Sequence, residues 1–240
     1  MINKLKNIPY KKWFYTAIFS FVILSFVSVI ALRFIPAVAT PLMLTRSCEQ
    51  LNDRDRDFRC EKDWVSLDKI SKNAVIAVVS SEDQNFAEHN GFDFEAIEKA
   101  MNHNKVSKKK IGASTISQQT AKNVFLWQGR NWIRKGLEAY FTVLIELFWS
   151  KDRIIEMYLN VVEFGDGIYG IEAASQHYYG KSCTDLNRSE AAMLAAILPN
   201  PLKYNPVNPT KYLQKRQKRI MREMYAVQYP AAPATISISE

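Results

Sequence analysis

The 240 residues are 48% hydrophobic and 23% charged, enough apolar material for one folded domain and the wrong composition for a disordered or low-complexity chain. Three cysteines are too few for a disulfide scaffold, and the three histidines (His89, His103, His177) form no HExxH pattern, so a zinc enzyme is not expected. A net charge of +8 is what a nucleic-acid binder carries, but here it is gathered in Lys4, Lys6, Lys11 and Lys12, in Lys105 and Lys108 to Lys110, and between Lys211 and Arg222.

From Phe14 to Leu32 the chain carries no charge and is dominated by Phe, Val, Ile, Leu and Ala. At about 1.5 Å per residue it matches the roughly 30 Å hydrocarbon core of a bilayer. Lys11 and Lys12 precede it, Trp13 and Tyr15 sit at its entrance and only Arg33 follows, which places the N-terminus in the cytoplasm and the rest outside. The competing reading is a cleaved signal peptide ending at Ala37-Val38-Ala39. The apolar run exceeds the roughly 7–15 residues usual for such a peptide, which favours an uncleaved anchor.

The expected organisation is a basic tail (1–13), a transmembrane helix (14–33), a juxtamembrane connector (34–63), one folded domain (64–228) and a disordered tail (229–240). The connector, dense in both signs of charge from Arg46 to Asp63, reads as exposed, with the apolar Phe34–Pro36 and Pro41–Leu44 segments able to lie on the membrane. Outside the cytoplasm Cys48 and Cys60 could pair, leaving Cys183 as a small buried hydrophobe.

Beyond Trp64 the period is helical. One helix is expected from Ser66, with Ile70, Ala74, Ala77 and Val78 on one face, and a second after Asp93, ending near Met101. Residues 102–113 lack an apolar period and read as a mobile loop. A third helix opens at Ser114 or Thr115, where Thr115-x-x-Gln118 fits a capping box. A fourth runs from Asn131 to Trp149 with Ile133, Leu137, Tyr140, Phe141, Leu144, Ile145 and Phe148 as its core stripe. A fifth spans Lys151 to Val162 with Ile154, Ile155, Tyr158, Leu159 and Val162 inward. Asn187-x-x-Glu190 caps an apolar helix that stops at Pro199, and a basic helix follows from about Thr210 to Val227, facing solvent or anionic lipid. Almost no strand pattern is present, so the fold class is mainly α.

Gly165 to Gly170 matches GxGxxG literally. No strand pattern flanks it, so a glycine-rich turn between helices is expected instead of a dinucleotide site.

Three stretches carry chemistry. Glu82 and Asp83 end an apolar helix, where the dipole disfavours negative charge, an arrangement suited to general acid–base work; solvated carboxylates beside a turn held by His89 and Asp93 are the equal alternative. Gly112 to Asn123 puts Ser114 and Thr115 at a helix N-terminus, a natural anion site, with Gln118 and Lys122 sharing a face; the plain alternative is a capped helix with a polar surface. Arg130, Arg134 and Lys135 can clamp a phosphate beside Glu138, or Arg134 and Glu138 can form an ordinary helix ion pair. A glycoside hydrolase needs two carboxylates only. A transferase expelling a diphosphate needs the cations as well.

These motifs resemble the monofunctional biosynthetic peptidoglycan transglycosylases and the glycosyltransferase domain of bifunctional penicillin-binding proteins (glycosyltransferase family 51). The resemblance rests on E-D-x-x-F-x-x-H-x-G at Glu82 to Gly91, G-A-S-T-I-x-Q-Q at Gly112 to Gln119, R-K-x-x-E at Arg134 to Glu138, and I-x-E-x-Y-L-N at Ile154 to Asn160, within coverage from about Trp64 to Met224. It implies a lysozyme-like α-helical domain that polymerises lipid II into β-1,4-linked glycan with inversion, releasing undecaprenyl diphosphate. Glu82 is then the base that deprotonates the acceptor 4-hydroxyl, and Glu138 assists the donor diphosphate, directly or as ligand to Mg²⁺ or Mn²⁺. Asp83, Ser114, Gln118, Gln119, Lys122, Arg130 and Arg134 are the expected substrate-binding residues. His89, Gly91, Tyr158 and Asn160 shape the site, and residues 102–113 lie over the cleft.

The resemblance further implies a single-pass protein of the bacterial cytoplasmic (inner) membrane with its catalytic domain outside the cytoplasm. The partners implied are lipid II, the growing strand, membrane lipid, and cell-wall synthesis or division proteins, with no nucleic acid. A lytic enzyme and a non-catalytic wall-binding scaffold are the competing classes; the cations weigh against the first and the intact carboxylate pair against the second.

Overall fold

The computed structural model describes residues 10–53, 58–108, 110–129, 131–227 and 229. The basic residues Lys4 and Lys6 and nearly all of the expected disordered tail lie outside that set. The chain divides into two compact units, Met1–Ile35 and Pro36–Glu240. The first holds helix α1 (Tyr10–Phe34), which contains the expected membrane span and by length and composition is able to cross a bilayer.

The second unit contains α2 (Pro41–Asn52), β1 (Glu61–Lys62), α3 (Lys72–Glu82), α4 (Phe94–Val106), α5 (Ile116–Phe125), α6 (Trp132–Phe148), α7 (Lys151–Val161), β2 (Glu163–Gly165), β3 (Ile168–Tyr169), α8 (Ile171–Tyr179), α9 (Arg188–Ile197) and α10 (Lys211–Glu223). It is mainly α, as its periodicity predicts. α3 packs against α9 and α10, and α5 against α6 and α7. α7 lies in the core, with Ile154, Ile155, Met157, Tyr158, Leu159 and Val161 all buried.

Helix starts follow local chemistry closely. The Thr115 hydroxyl accepts the Gln118 N–H while the Gln118 side chain accepts the Thr115 N–H, and Asn187 and Glu190 repeat the arrangement ahead of α9. Asp93, Asn131, Ser150 and Thr210 each accept a first-turn N–H in the same way.

Several expectations need correction. The helix expected from Ser66 starts only at Lys72: Leu67–Lys69 form a single 3₁₀ turn, and the Ser71 hydroxyl provides the true cap. Residues 102–106, expected to be irregular, continue α4. No apolar period marks them because this turn is largely exposed and buries no face of its own. The loop after it is tied back by the Asn104 amide, which bonds both the N–H and the C=O of Ile111 at 2.8 Å.

The charged connector is not a free exposed strap, because α2 is folded onto the unit. Leu42 and Met43 are buried, the Gln50 amide donates to Asp166 at 2.9 Å, and Arg46 pairs with Glu163 at 3.3 Å. Cys48 and Cys60 are separate exposed thiols, while Cys183 is buried as expected.

The GxGxxG stretch is the turn of a small hairpin. β2 runs antiparallel to β3, which pairs in parallel with β1 (order β1-β3-β2). Strands of two or three residues are too short to show alternation in sequence. Gly167 has φ +72°, and a Cβ there would fall 2.1 Å from the Arg59 carbonyl oxygen, so glycine serves the turn and the close backbone approach.

Candidate active site

Glu82 is the last residue of α3, and its carboxylate is held on both sides. Oε1 accepts from the Ser81 hydroxyl (3.1 Å) and lies 3.3 Å from an Arg216 guanidinium nitrogen of α10, while Oε2 accepts from the Gln119 amide of α5 (3.1 Å). Arg216 also donates to Ser81 Oγ at 2.9 Å. The carboxylate opens on a cavity of about 1,350 Å³ whose wall includes Ser81, Ser114, Gln119, Tyr212 and Arg216.

Asp83, expected at the substrate, instead turns inward and is 7% exposed. One oxygen accepts the N–H of Ile116, in the first turn of α5, at 2.9 Å, and both lie within 3.1 Å of His89 Nε2. His89 Nδ1 accepts the Gly91 N–H at 3.2 Å, so Nε2 carries the proton and donates to Asp83. Neighbouring carboxylates thereby divide the work: Asp83 fastens the end of α3 to the start of α5, and this aligns Glu82 with Gln119.

Gly91 is part of the same clasp. Its carbonyl accepts from Thr115 Oγ1 at 2.7 Å, its φ is +88°, and a Cβ would sit 2.8 Å from Thr142 Cγ2.

The cationic side of the site is assembled by α5 and α6. Glu138 is 4% exposed and pairs with Lys135 and with Arg134, the latter at 3.5 Å. Lys122 faces this group. Its ammonium is pushed below the usual lysine range by burial, partly restored by Glu138, pushed down further by Arg134 and Lys135, and helped slightly by Glu82. Among the described residues Lys122 makes no hydrogen bond or ion pair, and Arg134 Nε is buried without a partner.

A half-buried cation beside two others is an arrangement that an anion completes. The core stripe expected for α6 fails at its start for the same reason. Ile133 is 75% exposed while Glu138 is buried, because this end of the helix turns its polar side to the site.

The remaining candidates sort by direction. Ser114 is exposed on the cavity wall. Gln118 is buried by its capping role, which accounts for its place in the sequence without a ligand. Arg130 lies outside the described residues. Arg216 and Ser81 were not singled out in the sequence, although Arg216 lies between Leu213 and Ile220, the buried positions of α10, which was the available signal.

The protein alone does not complete a divalent-cation site here; Mg²⁺ or Mn²⁺ held by Glu138 would need its remaining oxygens from water and from a ligand's phosphate. Mg²⁺ and Ca²⁺ take about six or more oxygen donors, and Glu138 offers one carboxylate already shared by two cations. Among the described residues no group of three or more His, Cys, Asp and Glu side chains is placed to hold a metal ion.

Residues 49–225 match the family model described as Transglycosylase. The chain belongs to the transglycosylase family. It is 49% identical over 226 residues to the biosynthetic peptidoglycan transglycosylase of Bdellovibrio bacteriovorus, covering 94% of this chain and 90% of that protein. It is 54% identical over 200 residues to the like-named protein of Bacteroides thetaiotaomicron (83% and 80% covered) and 49% identical over 216 residues to that of Haemophilus influenzae (90% and 88%). Both candidate carboxylates, Glu138 more strongly than Glu82, act on the Lys122 ammonium of this transglycosylase, and the family match reaches from α2 to just beyond α10.

Proposed function

We propose that this transglycosylase is a membrane-anchored peptidoglycan glycosyltransferase that polymerises lipid II. Glu82 removes the proton from the acceptor 4-hydroxyl, and the oxygen attacks the donor anomeric carbon from the face opposite the diphosphate. The bond from that carbon to the diphosphate oxygen breaks, giving a β-1,4 link with inversion and free undecaprenyl diphosphate. Lys122, Arg134 and Lys135 neutralise the charge that builds on the departing oxygen, and Arg130 belongs with them by sequence. Glu138 keeps these cations together, and its partnership with them supports a site in which side chains stabilise the leaving group.

The observation that carries this reading is the half-buried Lys122 ammonium, which feels Glu138 but has no hydrogen-bond or ion-pair partner among the described residues: a hydrolase of glycosidic bonds has no use for such a charge. Helix α1 supports a single-pass placement in the bacterial cytoplasmic membrane, with the catalytic unit outside.

The test is incubation of the purified full chain with lipid II. Wild type is expected to make long glycan, and Glu82→Gln is expected to fold normally and make none. Polymer from Glu82→Gln removes Glu82 as the base. Cleavage of finished glycan without polymer from wild type replaces the reading with a lytic one.

A further inference from the structure

Behind Glu82 stands a second polar residue that the reaction as written does not use. Tyr158, on α7, is fully buried, and among the described residues its hydroxyl makes one hydrogen bond, to Gln119 Oε1 at 3.1 Å. Gln119 in turn faces Glu82 Oε2, and its Nε2 lies 3.5 Å from the Ser114 carbonyl, a separation too long to orient the amide unaided.

The directions in this chain are determined from both ends. An ionised carboxylate only accepts, so Gln119 must present its NH₂ to Glu82 and its carbonyl oxygen to Tyr158. The phenol must then donate. Burial, reinforced by the charges of Glu82 and Asp83, holds the Tyr158 hydroxyl well above the usual phenol range, so it remains a donor wherever the enzyme works.

We propose that Tyr158 is a positioning residue that acts through Gln119 to aim the Glu82 carboxylate at the acceptor hydroxyl. Without the phenol the carbonyl end of the Gln119 amide loses its anchor, and the amide is held only by the carboxylate it is meant to hold. The pair can then drift together, and Glu82 loses its fixed aim at the cavity. Tyr158 is fully buried and does not line the cavity, so its loss is expected to act on the chemical step more than on binding. The inference rests on Glu82 being the general base.

Steady-state polymerisation of lipid II by the full chain in detergent, with a double-mutant cycle over Tyr158→Phe and Gln119→Ala, tests the relay. Tyr158→Phe is expected to lower kcat about tenfold with KM changed by less than about twofold. In the Gln119→Ala background the same change is expected to cost nothing further.

An equal loss in both backgrounds overturns the proposal, because Tyr158 would then act by packing alone; so does a rise in KM with kcat intact, or no effect. If Tyr158→Phe melts early, Gln119→Glu at about pH 8 replaces it, since it keeps an acceptor for Tyr158 but turns another on Glu82. It is expected to lose more kcat than Gln119→Ala, and a smaller loss overturns the relay. Glu82→Gln run alongside separates the two readings: if it polymerises, the base assignment fails, and if it is inactive while Tyr158→Phe is not, only the relay fails.

Discussion

Lys122 is kept in a place that every nearby influence but Glu138 and the more weakly felt Glu82 makes costly for a cation. Partial burial costs its ammonium hydration, and Arg134 and Lys135 repel it. A charge retained at that cost for structure alone would have a hydrogen-bonding partner, and among the described residues it has none. Replacing it with an apolar chain of similar length therefore separates stability from activity. Lys122→Met is expected to melt at or above the wild-type temperature while polymerisation falls by about 100-fold or more, the scale on which removing one transition-state charge partner acts. Parallel thermal melts and lipid II assays check this; a loss of activity that merely follows unfolding would make Lys122 structural. Gly91 gives the opposite pattern, because its role is steric. Gly91→Ala combines a left-handed φ of +88° with a 2.8 Å approach to Thr142 Cγ2, and is expected to cost about 2 kcal/mol or more in urea denaturation.

Among the elements, α2 depends on its charges most openly. Glu163, at the start of β2, is pushed up to about 7 by burial, against the pull of Arg46 from α2. The folded state therefore holds a proton that the unfolded chain releases above about pH 4.5, and stability falls as pH rises from there towards 7. Glu163→Gln lacks this proton, so wild type should lose stability relative to the variant between pH 5 and 8. Melts of both proteins across that range decide it, and a difference that does not change with pH would show that burial of Glu163 is not coupled to folding. Nothing local announces this pair, since 117 positions separate Arg46 from Glu163. The same limit explains Arg216, 134 positions from the Glu82 it touches, which reads in sequence as one more cation on a basic helix. What was legible is what short range decides: the capping boxes at Thr115 and Asn187, the inward face of α7, and Asp93 as a cap. The motifs placed Glu82, Lys122 and Glu138 together only through resemblance, and the fold supplies the reason, an α3–α5 clasp made by Asp83 that no spacing rule contains.

Across the whole molecule, the two compact units meet different requirements. The larger, from Pro36 onward, contains the cavity, the clasp and both carboxylates, so its folding should not require α1. Under the proposed function, α1 contributes location: a lipid-linked donor is confined to a plane, and a tethered enzyme meets it at an effective concentration that a dissolved one cannot reach. A chain lacking residues 1–35 is therefore expected to keep the circular-dichroism melt of the catalytic unit and to polymerise detergent-solubilised lipid II at a rate within about threefold of the full chain. On lipid II embedded in vesicles the same truncation should slow the reaction by about tenfold or more, and fusing an unrelated apolar helix at Pro36 should restore it. Equal rates on vesicles would mean that the catalytic unit finds the bilayer by its own surface, where Phe94, Val106, Trp132 and Ile133 are all more than 70% exposed. Failure of the unrelated helix to rescue would mean that α1 makes contacts of its own beyond holding the enzyme at the membrane.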